Sequence, residues 1–72
     1  MYYVEIDAEY ITLQQFLKAA EVISSGGMAK HYLAETPVKV NNAIENRRGR
    51  KLYPNDVIEI EGYEPFTIVP QQ

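Results

Sequence analysis

The run Asn46-Arg47-Arg48-Gly49-Arg50-Lys51 sets four cations within six residues, and its chemistry is the binding of anions. A guanidinium presents a planar fork of N–H donors that matches the oxygens of a phosphate or carboxylate, and glycine lets the backbone bend close to a ligand. The run belongs to a wider asymmetry. From Lys30 to Lys51 the cations Lys30, Lys39, Arg47, Arg48, Arg50 and Lys51 are opposed only by Glu35 and Glu45, so this segment nets +4. Everything else sets Lys18 against eight acids and nets −7, which gives the chain its −3. Screening confines each charge to about 8 Å at physiological salt, so a basic patch keeps its own field on an acidic molecule. A phosphate backbone is the polymer such a patch fits best, and the acidic remainder, Glu59 and Glu61 included, is expected to orient the molecule by repelling it.

Further candidates flank the run. Gly26 and Gly27 open a predicted helix, where unpaired amides can hold an anion with Lys30 one turn on. His31 beside Lys30 is either a surface histidine that faces the ligand or a partly buried structural one. Lys39 points outward from a predicted strand, and Asn41 either holds a turn or donates to a sugar or base. Of six tyrosines most fill core edges, Tyr53 among them with its hydroxyl at the surface, and Tyr53, next to the basic run, is the one to test for contact with a base. No catalytic constellation is present: the acids Glu59 and Glu61 alternate on a strand, and Ser24 and Ser25 have no partnering motif. With no cysteine and a single histidine, no metal site is expected, and no cofactor.

The elements that must position these residues are read from periodicity. Tyr2–Ile6 alternates as a strand, followed by a polar turn containing Asp7 and Glu9. Thr12 and Gln15 have the form of a capping box, and Leu13, Phe16, Leu17, Ala20 and Ile23 recur at helical spacing, which predicts a helix over 12–23. Ser24-Ser25-Gly26-Gly27 ends it. A second helix is expected over 28–35, docking Met28, Tyr32 and Leu33 and stopped by Thr36-Pro37. Val38-Lys39-Val40, an Asn41-Asn42 turn and Ile44 form a hairpin. Leu52-Tyr53 resumes an extended run, Pro54-Asn55-Asp56 turns, and Val57–Glu61 and Phe66–Val69 are strands, with Gln71-Gln72 frayed.

Seventy-two residues bound the function as well as the fold. A chain of this size buries only about 60% of its unfolded surface, which leaves no room for a deep catalytic cleft. The start carries no basic leader, and no apolar run approaches the roughly 20 residues of a membrane span, so a soluble, unprocessed, cytoplasmic chain is expected, acting as a monomer. A carrier protein would need a reactive Gly-Gly end, whereas this sequence closes on Pro70-Gln71-Gln72.

The ordered pattern resembles the alpha-L RNA-binding domain of small-subunit ribosomal protein S-four. The matching residues are Leu13, Phe16 and Leu17 in helix one, Ala29-Lys30 and Leu33 in helix two, Val38-Lys39-Val40-Asn41 in the hairpin and Asp56-Val57-Ile58 at the close. The string from Asn46 to Asp56 looks most like the small stand-alone bacterial members called YaaA-type. The resemblance implies an α+β fold, with two short helices packed on a small, mostly antiparallel sheet. It implies one domain over 1–72 with its core motif at about 12–61, and binding rather than catalysis. Gly26-Gly27-Met28 stands where many members carry arginine, His31 where many have a second basic residue, and Asn42 where glycine is common. The implied ligand is structured RNA, ribosomal RNA first, with ribosomal proteins as possible neighbours and a role in ribosome assembly or translation. The contacts expected are Lys30, His31, Lys39, Asn41, Arg47, Arg48, Arg50 and Lys51, with Gly26 and Gly27 as a backbone anion site. Neutralising about five phosphates would give a log-log salt slope on the order of −3.5 to −4.5. The alternative is a protein-interaction adaptor that docks an acidic partner on the same loop.

Overall fold

In the computed structural model, which describes residues 1–71, five strands form the main sheet. They are β1 (Tyr2–Ile6), β3 (Val38–Val40), β4 (Ala43–Ile44), β6 (Val57–Ile60) and β7 (Phe66–Pro70), in the spatial order β1-β7-β6-β3-β4. The pairs β6–β7, β3–β6 and β3–β4 are antiparallel, while β1 runs parallel to β7 with Tyr2 opposite Phe66. A separate two-residue ladder joins β2 (Ile11–Thr12) to β5 (Lys51–Leu52). Strand alternation sends Val38, Val40, Ile58, Ile60, Phe66 and Ile68 to one face, where all are buried. Helices α1 (Leu13–Ala19) and α2 (Ala29–Glu35) cover that face. The expected two-layer α+β architecture is the one observed. No helix among the described residues is long and apolar enough to cross a membrane.

Phe16, fully buried, packs edge-on against Phe66 with ring centroids 5.2 Å apart and planes at 87°. Leu13, Leu17, Leu52, Ile58 and Ile68 are equally inaccessible, and each such side chain contributes about 1.5–3 kcal/mol relative to leaving it in water.

Local signals fix the helix starts and turns. The Thr12 hydroxyl accepts from the Gln15 amide (3.2 Å) while the Gln15 side chain accepts from the Thr12 amide (2.8 Å), the reciprocal pairing of a capping box. Asn41 and Asn42 take φ of 51° and 71°, as a tight two-residue hairpin demands.

Three expectations need correction. Helix one stops at Ala19 rather than Ile23, because Glu21 turns left-handed at φ 61°. The Val22 amide then bonds back to the Leu17 carbonyl (2.9 Å) and the Glu21 amide to Lys18 (3.0 Å), a Schellman closure. Ile23 is still buried, but from the loop that follows. In helix two Ala29, not Met28, enters the core beside Leu33. Met28 is 46% exposed, and Gly26–Met28 forms a 3-10 turn leading into α2. At the C-terminal end the Gln71 amide bonds the Ile6 carbonyl (2.8 Å), so Gln71 is tied to β1 rather than frayed. Gln72 lies outside the described residues.

Candidate nucleic-acid interface

The basic run is fastened at both levels, backbone and side chain. Its carbonyls cap α1: the Leu13 amide donates to the Arg50 carbonyl (2.8 Å) and the Gln14 amide to the Arg48 carbonyl (2.9 Å). Together with Thr12, which serves the Gln15 amide, these acceptors satisfy three of the orphan donors that a helix start leaves. The loop backbone is therefore an extension of the helix terminus.

Glu45 orders the side chains. Its carboxylate accepts from Arg47 through Nε (2.9 Å), Nη2 (3.0 Å) and the backbone amide (3.0 Å), and stands 3.3 Å from Nε of Arg50. The glutamate side chain is only 11% exposed, while Arg47 is 74% exposed. Side-chain bonding from Arg47 is the main cause that holds the Glu45 carboxyl down to about 2, against a smaller opposing push from desolvation. One carboxylate thus offsets part of two cations. Arg50 is mostly covered, with its Nη1 buried and without a protein partner, so it acts as a strut, whereas Arg48 and Lys51 are exposed and form no ion pair among the described residues.

A second junction ties the glycine turn to the same end of α1. A β-carbon at position 26 would stand 2.6 Å from Nε2 of Gln14, the far end of the side chain of the residue whose backbone amide donates to the Arg48 carbonyl. Lys30 and His31 are exposed on the short helix that this turn begins, with Ala29 and Leu33 facing inward. Gly27 has open space around it.

Two candidates sit apart from the loop. Lys39 stands on the outer face of the sheet, away from the helices, with Glu59 directly across in register. The Asn41 amide is engaged inside the fold: Nδ2 donates to Asp56 Oδ1 (3.0 Å) and Oδ1 accepts from the Val57 amide (2.9 Å). Asp56 Oδ2 in turn accepts from the Tyr53 amide (2.8 Å), so the hairpin turn and the Pro54-Asn55-Asp56 turn are locked together.

The comparisons with known proteins bear on this arrangement. The sequence profile of a family described as "S4 domain" matches residues 4–69, a span that contains every residue above from Ile11 to Val57. The chain belongs to the S4 domain family. A curated relative, the probable ribosome maturation protein RlbA of Bacillus subtilis (strain 168), is 61% identical over 66 residues, covering 92% of this chain and 93% of the relative. The resemblance read from the residue pattern is thus a family membership, and the small bacterial type it suggested agrees with this relative.

Within this S4 domain, residue patterns did not reveal Glu45 as the organiser of the basic loop, although its place two residues before Arg47 in an otherwise basic stretch was a usable signal. They also did not reveal Tyr10. Its ring lies 5.7 Å from that of Tyr53 and 4.9 Å beneath the Lys51 ammonium, a meeting of segments more than 40 residues apart.

Proposed function

We propose that this S4 domain binds structured RNA, ribosomal RNA in the first place, as a cytoplasmic factor in ribosome maturation, and that it binds without catalysing. The observation that carries the reading is the loop Arg47–Lys51 held as a rigid cationic extension of the α1 terminus. Arg48 and Lys51 supply the phosphate contacts while Glu45 holds the fork of Arg47, and Lys30 with His31 extends them onto α2. Arg50, Asn41 and Glu45 position the surface. Lys39 contributes only if the RNA wraps the hairpin edge. The name of the relative from Bacillus subtilis supports the ribosomal part of this reading.

Recognition is by shape and charge, since the deep groove of an RNA duplex hides its base edges and leaves phosphates and 2′-hydroxyls to read. Arg48, Lys51 and Lys30 engaged at once give a log-log salt slope of about −2.1 to −2.7. The test is the affinity for folded ribosomal RNA fragments at about 50 and 200 mM salt, beside an Arg48→Ala/Lys51→Ala variant. Salt-sensitive binding that the variant weakens, with a slope shallower by about 1.4 to 1.8, is the expected result. A folded protein that ignores every structured RNA at the lower salt would overturn the reading in favour of an acidic protein partner.

A further inference from the structure

The two-residue ladder β2–β5 divides its side chains cleanly. Ile11 and Leu52, paired across it, face the core, and Leu52 is fully buried. The register continues one step outward to bring Tyr10 opposite Tyr53, while Thr12 faces Lys51. Alternation therefore sets Tyr10, Lys51 and Tyr53 together on the solvent side. Tyr10 is 36% and Tyr53 42% exposed, with their ring centroids 5.7 Å apart.

From this juxtaposition we infer that Tyr10 and Tyr53 form a stacking platform for one unpaired RNA base beside the phosphate-binding loop. The inference rests on the RNA reading above and adds a class of ligand to it: RNA in which a single-stranded nucleotide adjoins a helix. Geometry narrows the mode. A base sandwiched between two rings needs about 7 Å of separation, twice the van der Waals contact distance of about 3.5 Å, whereas these centroids are 5.7 Å apart and the planes tilt by 46°. Lys51 covers one face of Tyr10. The base therefore stacks on the open face of Tyr53, Tyr10 buttresses that ring from the side, and the Lys51 ammonium meets the adjoining phosphate. The platform is preorganised, since the Tyr53 amide is held by Asp56, which Asn41 holds in turn.

The probe is an RNA hairpin with a single bulged 2-aminopurine, compared with the same hairpin fully paired. The wild-type protein is expected to prefer the bulged RNA by about 5- to 150-fold and to quench the 2-aminopurine on binding. Tyr53→Leu brings the ratio of the two affinities near one and removes the quench, while Tyr53→Phe, which keeps the ring, retains both. Arg48→Ala weakens both RNAs alike and leaves the ratio standing. Thermal melting checks that the leucine variant is folded. A bulge preference and quench that survive Tyr53→Leu overturn the inference, and so does wild-type binding of both hairpins equally without quenching, an outcome that leaves the RNA reading intact. Absence of binding to either hairpin and to ribosomal RNA fragments removes both readings together.

Discussion

Replacing Glu45 with glutamine removes the carboxylate that Arg47 and Arg50 share while keeping the length and shape of the side chain. Two effects oppose each other. Arg47 is released to take a phosphate with both arms of its fork, which adds about one counterion to those displaced and steepens the log-log salt slope by about 0.7 to 0.9. Measured from a 1 M reference, that addition strengthens binding by about tenfold at 50 mM salt and about fourfold at 200 mM. Against it stands the lost order of one long side chain, about 1 kcal/mol or fivefold in affinity. Glu45→Gln is therefore expected to bind about twofold tighter than wild type at the lower salt and about equally at the higher, with a steeper line. Fluorescence anisotropy of a labelled ribosomal RNA fragment across a salt series reads both quantities. The slope decides the matter: one that stays the same or becomes shallower would falsify the view that Glu45 holds Arg47 back from phosphate.

Two further outcomes follow from features independent of RNA. The Glu45 carboxyl is lowered from 4.5 to about 2 by its arginines, so its contribution to stability is complete above the unfolded value and fades as pH falls from about 4.5 toward 2. The stability gap between wild type and Glu45→Gln in urea should shrink over this window; a constant gap would count against the pairing. Glu21, left-handed at the end of α1, should gain about 0.5–1 kcal/mol on replacement by glycine, seen as a rise in Tm of a few degrees, whereas Glu21→Ala brings no such gain. Equal melting of the glycine and alanine variants would sink the argument from φ.

Much of this architecture was legible because its determinants are local. Thr12 and Gln15 announce the helix start through a three-residue spacing, Asn41-Asn42 announces the hairpin because asparagine tolerates positive φ, and Ile58 and Ile60 mark the inward face of a strand by alternation. The end of α1 was not legible, since glutamate gives no sign of a left-handed turn and Ala20 and Ile23 continue the apolar spacing. The ladder β2–β5 is too short for any periodicity to register, and its partners are distant in sequence. The basic loop showed in composition alone, but its anchoring on the α1 amides and its restraint by Glu45 depend on tertiary placement. Tyr53 stood out by lying next to that loop, and only folding supplied Tyr10 as its companion.

The parallel pairing of β1 with β7 also governs the order in which the protein can assemble. β7 lies between β1 and β6, so β1 has no neighbour in the sheet until β7 is made. The helices and the β3–β4 hairpin can gather around β6 from closer contacts, whereas closing the sheet means bringing together segments more than 60 residues apart. Loop closure over that distance is the slow, entropically costly step. During translation the growing chain therefore carries Tyr2–Ile6 as an unpaired strand until Phe66–Pro70 is made, and a nascent protein halted before Phe66 lacks the strand that would join Tyr2–Ile6 to the rest of the sheet.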